Sequence, residues 1–229
     1  MTIISGAIDL SGPFASFAIA APDSTLLVSA SLPLNGRDNV SFVKHMLSML
    51  DRANVKPGDI NLWIVGTGPG SFTGLRMAAS LVAGLTFSAG EPPRAVGLPS
   101  PYPIALELGL REGCRMAILY PSKKKGELIF CGIERQEGGF AITEEPSPLV
   151  ERLALDRLSA YARIASMGVA AGLDELESIL SKPIDRLSEF PVRRMFDPAF
   201  TANYTGVEAL RYARPATEAK TCVIREMCP

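Results

Sequence analysis

The sequence contains a single histidine, His45, among its 229 residues. Ser-His and Cys-His catalysis need at least one histidine beside the nucleophile, and many metal sites need two. His45 stands beside Met46 and Leu47 in a predicted helix, where a surface or interface position is the usual one. A metal site built on paired histidines is therefore excluded.

The chain also lacks cysteine motifs and an excess of charge of one sign. Its four cysteines form no CxxC pair, which disfavours a zinc knuckle and leaves reduced thiols as the default. The net charge of −1 argues against tight, independent binding of nucleic acid, although it is compatible with a partner that holds RNA. No apolar run reaches about 18 residues and the N-terminus lacks the basic start of a signal peptide, so we expect a cytoplasmic protein.

Apolar periodicity predicts an alternating order of strands and helices in the first part of the chain. Tight turns separate the first three strands, so we expect an antiparallel meander. Two helix–strand units then extend it into a mixed sheet with helices on its faces. In the order β-β-β-α-β-α-β, the predicted elements are strands 2–9, 14–21 and 25–32, helix 39–53, strand 60–65, helix 73–89 and strand 94–97.

A proline-rich stretch at 99–103 predicts a boundary between an N-terminal lobe, residues 1–98, and a C-terminal lobe, residues 99–229. The second lobe is harder to interpret, because residues 181–206 show no clear periodicity and the sequence contains no internal repeat. Three lysines at 123–125 predict a solvated hairpin tip, with contact to RNA or to an acidic patch as the alternative. The predicted elements of this half are helix 104–110, strands 114–120, 127–134 and 140–143, helix 149–158, strand 162–169 and helix 174–180.

The most informative motif is the glycine-rich loop Gly66-Thr67-Gly68-Pro69-Gly70-Ser71-Phe72-Thr73-Gly74-Leu75-Arg76. A strand, a glycine-rich turn and a helix N-terminus are the parts of many anion sites. The loop nevertheless lacks the lysine and the spacing of a P-loop, and it does not match the dinucleotide-binding pattern. It is either a phosphate cradle or a tight turn that lets the next helix pack close to the sheet.

Asp9 ends the first predicted strand and precedes Ser11 and Gly12. Its carboxylate either faces a magnesium-nucleotide, as acidic residues do in actin-like and sugar-kinase-like folds, or caps the turn before Gly12. One carboxylate alone is a poor acid–base or two-metal site. The first alternative makes Asp9 and Ser11 a vestigial nucleotide site.

Small residues line one face of the helix that follows the glycine-rich loop, including Ser80, Ala83 and Gly84. Small side chains permit close approach of another helix or of a sheet, either inside the domain or in a partner. The preceding helix contributes apolar residues that include Met46, and methionine adapts well to partner surfaces although it is commoner in cores.

Several motifs together resemble the TsaB (YeaZ) family of bacterial tRNA threonylcarbamoyladenosine biosynthesis proteins. The string from Gly68 to Arg76 closely resembles the family signature, and Ala7-Ile-Asp-Leu-Ser11 resembles its Ile-Asp-Thr-Ser-like first strand. Gly97-Leu-Pro-Ser100 resembles the Gly-x-x-Ser that follows the fifth strand of the family. Tyr212-Ala-Arg214 is similar to its C-terminal Tyr-Leu-Arg. The likeness is strong over about residues 3–110 and weaker beyond.

The resemblance implies a two-lobed α/β fold of the actin-like, RNase-H-like (ASKHA) type. It also implies a non-catalytic subunit, a pseudo-enzyme that binds and activates a TsaD-type transferase in the complex that makes N6-threonylcarbamoyladenosine in tRNA. A TsaE-type ATPase would dock on that pair, and two copies of the chain would dimerise through the same surface. The chain would meet tRNA only through the complex, and it would hold no cofactor of its own, whereas the complex would use ATP and magnesium. The implied interface residues lie on the two helices of the first lobe: Val43, Met46, Leu47, Leu50, Arg76, Met77, Ser80, Ala83, Gly84 and Phe87.

Two departures from the family pattern limit what the resemblance implies. Leu10 stands where family members commonly have threonine, and we expect a C-terminal lobe abbreviated around residues 195–210, where the family pattern has a longer helix before Tyr212. An ATP-dependent phosphotransferase of the actin or sugar-kinase type is the alternative function, motivated by Asp9 and the glycine-rich loop. A peptidase is disfavoured, because no Ser-His or Cys-His pair with a local signature is present.

Overall fold

Each half of the chain builds one five-stranded sheet in the computed structural model. The residues that the structure describes are 4–34, 39–87, 94–122, 127–170 and 172–212. The predicted lysine tip at 123–125, the last two residues of predicted helix 73–89, and Ala213 and Arg214 lie outside these ranges.

The first sheet has a meander at one side and parallel strands at the other. Its strands are β1 (Ile4–Asp9), β2 (Phe14–Ala20), β3 (Leu26–Pro33), β4 (Ile60–Gly66) and β5 (Arg94–Leu98), and its helices are α1 (Asn39–Arg52) and α2 (Phe72–Phe87). The strand order is β3-β2-β1-β4-β5. Pairing is antiparallel among the first three strands and parallel from β1 to β4 and from β4 to β5. The predicted order β-β-β-α-β-α-β is confirmed.

The second sheet repeats this topology although the sequence shows no repeat. Its elements are α3 (Pro101–Glu107), β6 (Arg115–Pro121), β7 (Glu127–Gln136), β8 (Gly139–Val150), α4 (Glu151–Ser159), β9 (Arg163–Met167), α5 (Leu173–Leu180) and β10 (Ile184–Leu187). The strand order is β10-β9-β6-β7-β8. As in the first sheet, a three-stranded antiparallel meander continues into two parallel strands through its first strand.

The structure corrects the sequence prediction at several points of the second half. β10 was not predicted, and β8 is longer than the predicted strand 140–143, so that α4 begins at Glu151 instead of residue 149. α3 begins three residues before its predicted start. Short 3₁₀ helices lie at Val192–Phe196 and Pro198–Asn203, in the region where the family pattern predicts a longer helix.

The molecule is layered: α1 and α2 cover the outer face of the first sheet, α4 and α5 cover that of the second, and α3 contributes to a shared core between the sheets. Side chains on successive strand residues point to opposite faces. Ala7 and Met116 therefore belong to the shared core, whereas Ile8 packs towards α1 and α2 and Ala117 towards α4 and α5. Within the described ranges, no helix has the length and apolarity needed to cross a membrane.

Candidate functional site

The glycine-rich loop lies directly against the turn that joins β1 to β2. A Cβ on Gly70 would overlap the backbone of Ser11, and a Cβ on Gly74 would overlap the carbonyl oxygen of Leu10. Both positions therefore require glycine, because any side chain would separate the loop from the turn. The close contact brings the start of α2 down onto the sheet. This geometry favours the tight turn over the phosphate cradle.

Asp9, at the end of β1, connects this turn with the loop and with the start of α3. Its Oδ1 accepts hydrogen bonds from the backbone N–H and the hydroxyl of Ser11 at 2.9 and 2.6 Å. Its Oδ2 accepts one from the Ser100 hydroxyl at 2.5 Å, and that hydroxyl accepts one from the N–H of Gly68 at 3.1 Å. Gly66 leaves room for the carboxylate, since a Cβ there would overlap Oδ2.

The predicted vestigial nucleotide site, Asp9 and Ser11, lies inside the fold. Asp9 and Ser11 are 0% and 4% exposed, and both carboxylate oxygens are already engaged inside the fold. Burial raises the pKa of the Asp9 carboxyl, and the hydrogen bonds from Ser100 and Ser11 oppose that rise. Among the described residues, no group of three or more His, Cys, Asp or Glu side chains is placed to hold a metal ion.

α2 divides into a face packed on the sheet and a face exposed to solvent. The packed face is formed by Leu75, Ala78 and Val82. The predicted interface residues on the exposed face are Arg76, Ser80, Ala83, Gly84 and Phe87. Met77 is half-buried at the margin, whereas the Phe87 side chain is 91% exposed. The exposed ring of Phe87 and the run of small residues together form a surface suited to a second helix.

α1 offers less surface than predicted. Met46 and Leu50 are 0% and 1% exposed and belong to the core beneath α1 and α2, so we correct them from interface residues to core residues. Their spacing of four places both on one face of α1, since residues i and i+4 share a face of a helix, and this face packs into the core. Of the four predicted positions on α1, Leu47 is 43% exposed and Val43 is half-buried.

Residues 204–212 join the edge of the first sheet to the second sheet, which sequence reasoning missed. Thr205 exchanges two backbone hydrogen bonds with Gly97 of β5, at 2.7 and 2.9 Å. The N–H of Arg211 donates to the carbonyl oxygen of Thr67 at 2.7 Å, and its guanidinium pairs with Glu145 of β8 at 2.5 Å. The only sequence signal for this arrangement was the family-like motif that begins at Tyr212.

Tyr212 completes an exposed cluster at the start of α2. It forms a β-bridge with Gly70, and its ring centroid lies 5.1 Å from that of Phe72. The Arg76 guanidinium carbon lies 3.7 Å from the centre of the Phe72 ring, and Arg76 Nε donates to the Tyr212 hydroxyl at 3.4 Å. Sequence reasoning assigned Arg76 to the interface without connecting it to Tyr212, which is 136 residues further along the chain.

The part of the chain that carries α1, the glycine-rich loop and α2 has a recognisable family signature. Residues 39–134 match the family model described as TsaD: tRNA N6-adenosine threonylcarbamoyltransferase. The structure of YeaZ from Pseudomonas aeruginosa superimposes with a TM-score of 0.62 at 22% identity, covering 91% of this chain and 98% of that one. The chain resembles the TsaB (YeaZ) family in sequence and in fold. No curated protein matches the sequence significantly.

Two further solved structures share the fold seen in YeaZ. An uncharacterised Pseudomonas aeruginosa protein, described as similar to peptidase YeaZ, has a TM-score of 0.60 at 23% identity and covers 93% of this chain and 100% of its own. The ethanolamine utilization protein EutJ from Carboxydothermus hydrogenoformans has a TM-score of 0.51 at 12% identity, covering 84% and 88%. The two-lobed α/β fold with mixed sheets predicted from the sequence is confirmed.

Proposed function

We propose that this chain is a non-catalytic subunit of the machinery that makes N6-threonylcarbamoyladenosine in tRNA, and that it binds and activates a TsaD-type transferase. The observation that carries the proposal is the exposed face of α2, where Ser80, Ala83 and Gly84 leave the helix backbone accessible between Arg76 and Phe87. The family signature over 39–134 and the YeaZ-like fold support the choice of pathway.

The proposed mechanism is a shift of population in the catalytic subunit. A binding partner shifts a protein towards the conformation that it binds more tightly. Docking of the α2 face, with Leu47 of α1 beside it, would stabilise the active arrangement of the transferase. The buried, fully engaged carboxylate of Asp9 supports a role without chemistry in this chain, and ATP with magnesium, where the complex uses them, would be bound elsewhere.

The other proposed contacts follow from this assembly. A TsaE-type ATPase would join the pair, and two copies of the chain would dimerise through the same face when no transferase occupies it. The chain would meet tRNA only through the complex, which the net charge of −1 supports. A tRNA substrate supports the cytoplasm as the proposed location of the complex.

Ala83→Arg tests the docking face directly. Ala83 is exposed, so we expect its replacement to change the free energy of unfolding of the monomer by less than about 0.5 kcal/mol. In an interface, an unpaired buried charge costs several kcal/mol, so we expect the heterodimer peak in size-exclusion chromatography to disappear. Ala160→Arg is the matched control, because Ala160 is exposed at the end of α4 on the other sheet. An unchanged heterodimer peak with Ala83→Arg would contradict the proposal.

The alternative function, an ATP-dependent phosphotransferase, is tested by calorimetry with magnesium-ATP on the isolated chain. Our proposal predicts no micromolar binding. Binding that Asp9→Ala abolishes, measured where circular dichroism shows that the variant is folded, would favour the phosphotransferase instead.

A further inference from the structure

We propose that Arg76 is a preformed receptor for a carboxylate of the docking partner, an Asp or Glu side chain on a partner helix that packs along α2. This inference rests on the proposed function, because the partner it addresses is the TsaD-type transferase. It adds the chemistry by which the docking face recognises that partner.

Two aromatic rings hold the Arg76 side chain in place before any partner arrives. The guanidinium lies over the Phe72 ring with 3.7 Å between its carbon and the ring centre, and its Nε donates to the Tyr212 hydroxyl at 3.4 Å. Stacking on a ring leaves the edge of the guanidinium, with its terminal N–H groups, available for a two-pronged contact with a carboxylate. Because the side chain is already ordered, less conformational entropy is lost when that contact forms.

The charge of Arg76 is not balanced inside the part of the chain that the structure describes. Several arginines form ion pairs there, as Arg163 does with Asp185 at 2.5 Å, whereas no ion pair of Arg76 occurs among the described residues, and the same holds for Arg52, Arg94, Arg111 and Arg135. Arg76 is also the only charged residue in the sequence of α2. A cation in an otherwise uncharged docking face needs an anion from the partner, because burying it unpaired is strongly unfavourable.

The composition of the docking face favours a carboxylate on a different protein over the other sources of negative charge. A second copy that packs its α2 against this α2 brings no acidic residue from that helix. RNA is disfavoured because affinity for it depends on neutralising several phosphates, and a single arginine on a chain of net charge −1 neutralises few. A helical partner with one acidic residue facing Arg76 satisfies both the charge and the apolar surface that continues to Phe87.

The test compares heterodimer dissociation constants for the wild type, Arg76→Gln and Arg76→Lys, measured by calorimetry at low and high salt. Arginines that become buried at a protein interface often contribute much of the binding energy, so we expect Arg76→Gln to weaken heterodimer binding at least about tenfold. Lysine should restore only part of the affinity, because it lacks the planar fork. Salt should weaken the wild-type complex more than that of Arg76→Gln. Arg111→Gln is the matched control, since Arg111 is exposed in the turn after α3.

Charge exchange then identifies the partner group. Arg76→Glu should lose the heterodimer, and one Asp→Arg or Glu→Arg substitution in the transferase should restore it. A dissociation constant of Arg76→Gln within twofold of the wild type would overturn the inference while leaving the proposed function intact. The inference would also be overturned if Arg76→Gln lost homodimer formation or tRNA binding but kept the heterodimer. Absence of any wild-type heterodimer would instead refute the proposed function, and this inference with it.

Discussion

Removing the Asp9 carboxylate tests whether it ties the first turn, the glycine-rich loop and α3 together. Asp9→Ala deletes the acceptor of three hydrogen bonds. The donors of Ser11 and Ser100 would then remain buried without a partner. Hydrogen bonds to charged groups contribute about 1.5–3 kcal/mol each to stability. Burying the carboxylate charge costs several kcal/mol, and the variant no longer bears this cost, so the net loss is smaller than the sum of the three bonds. We therefore expect the free energy of unfolding to fall by about 2–4 kcal/mol.

Gly66→Ala disturbs the same contact from the other side. The new Cβ would overlap Asp9 Oδ2 and lie 2.6 Å from its Cγ, so the carboxylate must leave its donors. We expect Gly66→Ala alone to lower the free energy of unfolding by a similar amount. In the double variant Gly66→Ala/Asp9→Ala no carboxylate remains to be displaced, so the two losses should differ from additivity by a coupling energy of about 2 kcal/mol. Gly84→Ala is the matched control, because its Cβ would meet nothing within 4 Å and alanine favours a helix.

Urea unfolding at neutral pH supplies the free energies, with the single tryptophan, Trp63, as a fully buried fluorescent probe. Strictly additive losses would refute the link between Gly66 and Asp9.

The pH dependence of the stability gives a second check on the role of Asp9. Burial raises the folded-state pKa of Asp9 above its ordinary value of 3.8, so its contribution to stability is greatest in acid and declines as pH rises through the raised pKa. The difference between wild type and Asp9→Ala should therefore shrink from acid to neutral pH, and a difference that grows would count against the assignment.

Two further variants test side-chain hydrogen bonds and ion pairs elsewhere in the fold. A hydrogen bond from Arg194 lowers the pKa of Glu107 below its ordinary value of 4.5, so the stabilisation is present above that value and is lost as pH falls through the lowered pKa. After allowance for exposure, Glu107→Gln should cost about 1 kcal/mol at neutral pH and nothing in strong acid by urea unfolding, and a pH-independent cost would contradict this. Tyr161→Phe removes a hydroxyl that donates to Glu144 at 2.5 Å and accepts from Arg115 at 3.1 Å, so its urea midpoint should fall by the equivalent of about 1–2 kcal/mol; an unchanged midpoint would show that this network contributes nothing.

The elements of the first sheet could be predicted from local patterns. The predicted helix 39–53 and strand 60–65 agree with α1 and β4 to within one residue at each end. Long apolar runs and amphipathic periods specify backbone conformation over a few turns, which is why these predictions succeed. β10 was missed, because its four residues are too few for a period and it exists as a strand only through its parallel pairing with β9.

The arrangement of the candidate site could be predicted from the sequence only in part. Spacing on α1 identified apolar residues but did not separate buried Met46 from exposed Leu47. That distinction depends on how the helix is rotated against the sheet. Ser100, which donates to Asp9, is 91 residues away from it, and no local pattern connects the two.

The features that depend on composition and on closely spaced residues follow from the sequence alone. One histidine excludes a paired-histidine metal site, and glycines at Gly70 and Gly74 indicate a turn in which backbones approach closely. Folding buried Asp9, engaged both oxygens of its carboxylate in hydrogen bonds, and placed Tyr212 beside Arg76 at the start of α2. The physical reason is range: backbone propensities act over a few residues, whereas burial and hydrogen-bond partners depend on packing between segments far apart in the chain.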